Sequence, residues 1–546
     1  MSKKVMVIGL DGATLDIILP LIEKGKLPNL AKIIDTGAYA PLKSVMPPIT
    51  PCAWTSSVTG KDPSKHGVFD FSQMEDDPRN LKSTNRTFVK SKYLWKLLTE
   101  RGKKSIVVDV PLTYPPEDIN GLMISRVMAP GGKNCTYPKK LYNELKKKGY
   151  IKGIDKKKIG DEHGADAANK EEIKEKKPER RKLTKKEMAK AIKERTQKAF
   201  EHMCEEIESN VKLARWLLTK KEWDFFMMVF MATDHAGHSF WHDQAKVKKI
   251  YEKVDEAIGE LFDVVGEDVI KFLWSDHGFT GLPYSFNINE WLYDRGLLRK
   301  TLDIVGEESM TLLKAFIKSK DKDNKKLSNF RYQIVTDFLK SKAYLQSGTV
   351  YGVRINLKGR DKTGVVDEAE YEELRNKLIR DMKKLVHPLT NKKVFEKVWK
   401  KEEVYSMGVT DAVAAPDIFF LPTDMDVMIK GQFKQTQKIF SKSAKGYGFH
   451  HYYGVFFAHG EGIKNTKIKN ADLIDMMPTV LHVMGEAVPE DCDGKVLTAI
   501  FEKKSDFYNR VIEYSASSQI ETEESVYSAD EEAQIKQRLE DLGYIE

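Results

Sequence analysis

Cysteine is scarce in this sequence, which contains only Cys52, Cys135, Cys204 and Cys492. No two of these residues lie at the spacing of a metal-binding or redox pair. The scarcity argues against a small fold held together by disulfides. It is typical of a protein from a reducing compartment, and we therefore predict a cytoplasmic location.

Long hydrophobic runs are also missing. The first apolar run, Val5 to Leu10, is too short for the apolar region of a signal peptide. The most apolar later run, Phe225 to Ala232, is far below the roughly 20 residues that a membrane-spanning helix needs. Both runs fit buried strands of a parallel sheet, and we predict no membrane span.

No charge of one sign dominates the composition. The chain carries 90 basic and 81 acidic residues, so the net charge of +9 is small relative to the number of charges. A nucleic-acid partner is therefore not predicted. Hydrophobic residues make up 41% and charged residues 31% of the chain, which is typical of a folded globular enzyme and excludes extensive disorder.

Short apolar runs recur along the chain and are separated by helical or mixed stretches, as in repeated β-α units. They are Val5 to Leu10, Ser105 to Val110, Phe225 to Ala232 and Val269 to Trp274. This rhythm predicts an α/β fold with a doubly wound, mainly parallel sheet. The residues just after each strand gather in one crevice of such a sheet, so a functional site is expected there.

Other segments depart from this rhythm. We predict a catalytic domain over residues 1–503, with a charged helical excursion at about 156–198 and a cap insertion at about 284–440. An acidic loop and a helix are expected within residues 504–546. The excursion is dense in lysine and glutamate, which is typical of a solvated surface. Within the cap region, Val350 to Leu357 and Ile418 to Leu421 are strand candidates.

Two candidate functional residues lie in the first part of the chain. Asp11 ends the first apolar run and precedes Gly12, which permits a tight turn, although an ordinary helix cap would give the same pattern. Thr50 lies among prolines just before a predicted helix, whose N-terminus favours an anion. A metal-activated hydroxyl at this position can act as a nucleophile, although a plain Thr-Pro helix start is equally compatible with the local sequence. Thr55 and Thr59 are weaker alternatives because they fall within the helix or at its far end.

Acids and histidines also follow the later apolar runs. Two residues four positions apart on a helix can face the same ion, and adjacent residues can share a site where a strand ends. Mixed carboxylate and imidazole ligands suit zinc or manganese better than calcium or magnesium. The candidates are Asp234 with His238, the pair Asp276-His277, and His450 with its neighbour His451 as the alternative; His235, His242 and Asp243 lie close to the first pair.

This ordered set of motifs resembles the alkaline phosphatase superfamily, and within it the nucleotide pyrophosphatases/phosphodiesterases. The segment from Thr50 to Gly60, with Pro63, His66 and Gly67 after it, is similar to the nucleophile helix and its exit. The segment from Asp475 to Gly485 is similar to the closing helix of that fold. The resemblance covers roughly residues 1–130, 200–290 and 410–500.

The resemblance implies a two-metal phosphoester hydrolase that acts on a small phosphorylated substrate through a phospho-threonine intermediate. Thr50 would be the nucleophile. The implied metals are two divalent ions, zinc with manganese as the alternative. One ion would be held by Asp234, His238 and His450, and the other by Asp11, Asp276, His277 and the Thr50 oxygen.

The sequence departs from the nucleotide pyrophosphatases near Phe71, where their phosphate-binding asparagine would fall. Neither Asp70 nor Phe71 can donate the same hydrogen bond, and Lys442, Lys445 and Arg126 are the alternative phosphate contacts. A phosphomutase or a phosphomonoesterase of the same superfamily is therefore the alternative function, and a non-catalytic scaffold is a more distant one. The sequence does not determine the oligomeric state.

Overall fold

The computed structural model describes most of the chain in two compact units. The first unit comprises residues 1–72, 83–281 and 446–546, and the second comprises residues 73–82 and 282–445. The charged excursion predicted at 156–198 lies outside the described residues up to position 183, and the chain is helical from Lys185 onward. The predicted domain boundaries stay predictions. The described residues are 3–74, 77–130, 132–151, 184–304, 332–346, 351–405, 415–433, 438–443, 448–521 and 527–542.

A ten-stranded sheet forms the centre of the first unit. Its strands are β1 (Val5–Leu10), β2 (Ala38–Lys43), β3 (Ser105–Val108), β4 (Gly121–Ile124), β5 (Thr136–Tyr137), β6 (Phe225–Phe230), β7 (Ile270–Trp274), β8 (Tyr453–His459), β9 (Thr466–Lys467) and β10 (Ala471–Asp472). They lie in the order β9-β2-β8-β7-β1-β6-β3-β4-β5, with β10 also paired to β2. The five neighbours β7, β1, β6, β3 and β4 are parallel, whereas β8 is antiparallel to both of its neighbours and β5 to β4.

Helices cover both faces of this sheet. They are α1 (Leu15–Glu23), α2 (Pro28–Thr36), α3 (Thr50–Thr59), α4 (Pro63–His66), α5 (Leu94–Glu100), α6 (Lys140–Lys147), α7 (Lys185–Lys220), α8 (Ala232–Phe240), α9 (Gln244–Val265), α10 (Met476–Met484), α11 (Asp506–Asn509) and α12 (Ala529–Leu542). A short parallel pair, Val488–Pro489 with Tyr514–Ser515, lies outside the central sheet.

The alternation of side chains along a strand divides the core into two layers. On β1, Val5 and Val7 belong to the apolar cluster that contains residues of α3, α5 and α10. Met6 and Ile8 belong to the other cluster, which contains residues of α1, α2 and α9. Because β1 is buried on both sides, it reads as a continuous apolar run in the sequence. The predicted fold class, a doubly wound and mainly parallel sheet, is confirmed.

The second unit is built from smaller sheets. One contains Tyr284–Asn287, Val427–Lys430 and Phe440–Lys442, and another contains Ala343–Leu345, Gly352–Ile355, Ile418–Pro422 and Phe395–Lys400. Lys300–Ile304 pairs with Tyr332–Thr336. The strands Ser72–Met74 and Leu81–Ser83, which lie at the two ends of the segment 73–82, pair with each other. The helices among the described residues of this unit are Ile288–Asp294, Glu368–Lys383 and Lys401–Val404. The strand candidate Val350 to Leu357 is therefore present as the shorter strand Gly352–Ile355, and the candidate Ile418 to Leu421 is present as Ile418–Pro422.

A buried ion pair holds the chain that leaves α3. Lys61 has a fully buried side chain, and its Nζ donates to Asp491 Oδ2 at 2.5 Å. Burial alone would raise the pKa of Asp491, but hydrogen bonds from Lys61, Ser517 and Ser518 outweigh it and lower this pKa to about 2. The pair thereby joins the end of the α3 segment to residues near the C-terminus.

Replacing this carboxylate is expected to destabilise the protein. In Asp491→Asn the buried Lys61 ammonium loses its charged partner, and we expect the free energy of unfolding to fall by about 3 kcal/mol at neutral pH. Because the folded pKa of Asp491 lies below the unfolded value of 3.8, its contribution is present above that value and is lost as the pH falls toward 2.

Urea unfolding of the wild type and the variant at several pH values measures this effect. The difference between the two proteins should narrow as the pH falls below about 4. Glu256→Gln is the control, because Glu256 pairs with Lys253 at 2.9 Å on the exposed side of α9 and should contribute less than about 1 kcal/mol. Equal midpoints for Asp491→Asn and the wild type would contradict the proposed role of the pair.

Candidate metal centre

The carboxyl ends of three neighbouring parallel strands bring the sequence-predicted acids together. Asp11 directly follows β1, Asp276 lies two residues after β7, and Asp234 lies in the first turn of α8 after β6. Since β1 pairs with both β6 and β7, all three carboxylates lie at the same edge of the sheet. All three side chains are buried.

The first candidate group contains Asp234, His238 and His450. Asp234 and His238 lie one turn apart on α8, with His238 Nε2 at 3.5 Å from Asp234 Oδ1. His450 comes from the strand Gly448–His451, which pairs with Gly278–Gly281 and places His450 opposite Phe279. Its Nε2 lies 3.6 Å from Asp234 Oδ1 and 3.0 Å from His238 Nε2. His451, the alternative, is not part of this group and has its Nδ1 within 3.2 Å of the Tyr453 amide nitrogen.

The second candidate group contains Asp11, Asp276 and His277. His277 Nε2 lies 3.2 Å from Asp276 Oδ2 and 3.9 Å from Asp11 Oδ1. The same nitrogen lies 3.5 Å from Thr50 Oγ1. Thr50 is the first residue of α3 rather than a residue before it, and its side chain is buried. A helix N-terminus, the hydroxyl and the second group therefore meet at one place.

Backbone contacts fix the loops that carry the second group. Gly12 has a φ of +64°, a left-handed conformation that favours glycine, and its amide donates to Asp276 Oδ1 at 3.2 Å. Ser44 donates its hydroxyl to the backbone oxygen of Asp276 at 2.6 Å. The loops after β1 and β7 are thus tied to each other and to the chain after β2.

The electrostatics of the site favour a bound cation. Burial, with the neighbouring carboxylates Asp276 and Asp234, raises the pKa of Asp11 well above its ordinary value. Burial lowers the pKa of His238 to about 3 and that of His277 to about 4, so both imidazoles are neutral near pH 7. Neutral imidazoles together with clustered buried carboxylates are a donor set that suits a divalent ion.

The donor spacing of the first group fits a tetrahedral metal ion. In the first group the three distances between donor atoms are 3.0, 3.5 and 3.6 Å. Bonds of about 2.0 Å in tetrahedral geometry put ligand atoms about 3.3 Å apart, which is close to these values. In the second group, the buried atoms Asp11 Oδ1 and Asp276 Oδ2 accept no hydrogen bond within the described part of the chain. Both groups therefore fit metal ions.

The alternative phosphate contacts from the sequence have other surroundings. Arg126 donates from Nε to Asp109 Oδ1 at 3.0 Å and from Nη2 to Asn210 at 2.8 Å, so its guanidinium is engaged in an ion pair. Lys442 lies on an exposed strand position of the second unit, and Lys445 lies outside the described residues. Phe71, at the position of the expected asparagine, packs in the apolar core.

One residue at this centre has no counterpart among the sequence-predicted candidates. Trp54 lies on α3 and donates its indole Nε1 to Asp11 Oδ2 at 2.7 Å. The sequence feature that could have predicted this role is the position of Trp54 four residues after Thr50, which places both side chains on one face of the helix. A tryptophan at such a position is also compatible with simple core packing, and sequence alone does not separate the two.

Solved structures of other proteins share the fold of this chain. The chain shares its fold with the alkaline phosphatase PafA, with a TM-score of 0.51 and 15% identity over 92% of this chain and 100% of that one. It also resembles the phosphonoacetate hydrolase of Sinorhizobium meliloti, with a TM-score of 0.50 and 13% identity over 88% and 96% of the two chains. At these identities the likeness shows a common fold and no more.

The family follows from the sequence match. Residues 5–452 match the model of the type I phosphodiesterase / nucleotide pyrophosphatase family, and the chain belongs to this family of phosphoester hydrolases. A curated relative, the GPI ethanolamine phosphate transferase 3 of Eremothecium gossypii, is 30% identical over 83 residues. That match spans 14% of this chain and 8% of the relative.

Among the residues that the structure describes, no helix combines the length and the apolarity that crossing a membrane requires.

Proposed function

We propose that this protein hydrolyses phosphoesters of small molecules with Thr50 as the nucleophile and two divalent metal ions, zinc with manganese as the alternative. The observation that carries the proposal is the position of Thr50 Oγ1, 3.5 Å from His277 Nε2 at the first residue of α3. Asp234, His238 and His450 would hold one ion. Asp11, Asp276 and His277 would hold the other, together with the Thr50 oxygen.

Bound ions would lower the pKa of the attacking hydroxyl and neutralise charge on the phosphoryl oxygens. Thr50 Oγ1 loses its proton to solvent and attacks phosphorus in line with the leaving oxygen, which departs as an anion with the electrons of the broken P–O bond. The phosphoryl group is then carried on Thr50 at the N-terminus of α3, where the helix dipole favours negative charge. In the second step a water molecule attacks the same phosphorus and gives up a proton, while the bond from phosphorus to Thr50 Oγ1 breaks and its electrons return to Oγ1.

The family to which the chain belongs supports a phosphodiester as the substrate class. Phe71, buried where the phosphate-binding asparagine is expected, leaves one phosphate contact to other groups. We nevertheless expect diesters to be preferred, since a diester presents one negative charge fewer than a monoester for the protein to match.

The test compares turnover of bis-p-nitrophenyl phosphate and p-nitrophenyl phosphate by protein loaded with zinc or manganese. Faster turnover of the diester is the expected result, and metal-free protein is the control. Preference for the monoester would replace the phosphodiesterase with a phosphatase. A mutase would be revealed with a sugar monophosphate that carries a second hydroxyl, as transfer of the phosphoryl group to that hydroxyl without release of phosphate. Absence of all phosphoryl transfer would favour a scaffold.

A further inference from the structure

Trp54 projects from α3 toward Asp11 of the second candidate metal group. Its side chain is fully buried, and its only ring nitrogen donates to Asp11 Oδ2 at 2.7 Å. An indole N–H is a donor only, so it can hold a carboxylate oxygen but cannot itself bind a cation. The other oxygen, Asp11 Oδ1, is the one that lies 3.9 Å from His277 Nε2.

Strand β1 leaves room for the indole ring of Trp54 at Gly9. Gly9, two residues before Asp11 on β1, does not have a positive φ, so backbone freedom does not explain a glycine there. A Cβ at this position would overlap Cη2 of the Trp54 ring and crowd the Val229 side chain on the neighbouring strand. The absence of a side chain at Gly9 is what lets the ring lie across β1 and reach the carboxylate at the strand end.

Trp54 also connects the two parts of the centre. It lies four residues after Thr50 on α3, so the two side chains project from the same face one turn apart. A hydrogen bond from Trp54 to Asp11 therefore sets the distance between α3 and the end of β1. Thr50 and Asp11 are thus held in register through Trp54, which lies on the same helix as Thr50 and donates to Asp11.

We propose that Trp54 is a positioning residue that fixes the rotation of the Asp11 carboxylate, so that Oδ1 faces the metal and Thr50 stays beside it. This inference rests on the proposed two-metal function. Partners that orient a ligand in this way typically contribute about 10- to 100-fold to metal affinity. The N–H of Trp54, rather than the bulk of its ring, is the part that matters.

The test measures zinc affinity by competition with a chelating dye. His238→Ala serves as the background, because it disables the first group and leaves the Asp11, Asp276 and His277 group to be measured alone. Adding Trp54→Phe should weaken zinc binding to the remaining group by about 10- to 100-fold. Trp95→Phe is the matched control, since Trp95 is equally buried and donates to Glu117 Oε2 at the same 2.7 Å distance elsewhere in the unit.

A second variant separates the hydrogen bond from the packing. A benzothiophene analogue of tryptophan at position 54 keeps the shape of the ring and lacks the N–H. It should weaken zinc binding as Trp54→Phe does, and it remains informative if Trp54→Phe does not fold. Wild-type affinity with the analogue would overturn the inference. If the protein without any substitution binds no zinc, the proposed two-metal function fails instead, so the two failures are distinguishable.

Discussion

Thr50→Ala is expected to lose phosphoester turnover by about 10³-fold or more, because the variant has no hydroxyl to attack phosphorus. Thr50→Ser should keep measurable turnover, because it retains the hydroxyl at the start of α3. The measurement is kcat/KM on the preferred p-nitrophenyl ester for protein loaded with the same metal. Thr50→Val adds a test in which the shape of the side chain is kept.

Thr59→Ala is the control for this experiment. Thr59 lies on the same helix and is also buried, but its hydroxyl donates to the backbone oxygen of Thr55 at 2.7 Å. We expect this variant to turn over substrate at a rate close to that of the wild type. If Thr50→Ala and Thr59→Ala have equal activity, Thr50 is not the nucleophile.

The second large effect concerns the acids of the two metal groups. Asp234→Asn and Asp276→Asn each remove one charged donor from a different group, and each should reduce the zinc content of the purified protein from two equivalents toward one. Loss of an ion that stabilises developing charge should lower kcat by about 10²- to 10³-fold. Elemental analysis and turnover, measured on the same samples, check both expectations.

Asp255→Asn is the matched control for the acid variants. Asp255 is a buried carboxylate on α9 that accepts hydrogen bonds from the amides of Asn29 and Leu30 at 3.1 and 2.8 Å, outside both groups. Its variant should lose stability but keep both zinc equivalents per folded chain. The two-site account is wrong if Asp234→Asn or Asp276→Asn keeps both equivalents with full activity.

The sequence predicted the sheet because its central strands are buried on both faces. Runs such as Phe225 to Phe230 are continuously apolar, and the polar residues that follow them mark the strand ends. The pair Asp234 and His238 could also be predicted from the sequence, since a spacing of four residues on a helix lets two side chains face one ion. Local periodicity carries this information, so no knowledge of the tertiary structure was required.

Long-range pairing accounts for what the sequence left open. The choice between His450 and His451 depends on the register of Gly448–His451 against Gly278–Gly281, because neighbouring residues of a strand point to opposite sides. The contact of Trp54 with Asp11 depends on Gly9 of β1, where the absence of a side chain leaves room for the indole ring. The engagement of Arg126 by Asp109 and Asn210 depends on three separate segments.

The proposed reaction is a double displacement at phosphorus through Thr50. The most direct test is the stereochemical course of hydrolysis of a phosphorothioate diester of defined configuration in isotopically labelled water. Each in-line attack inverts phosphorus, so attack by Thr50 followed by attack by water predicts overall retention. Overall inversion would mean that water attacks the substrate directly, and it would contradict the phospho-threonine intermediate.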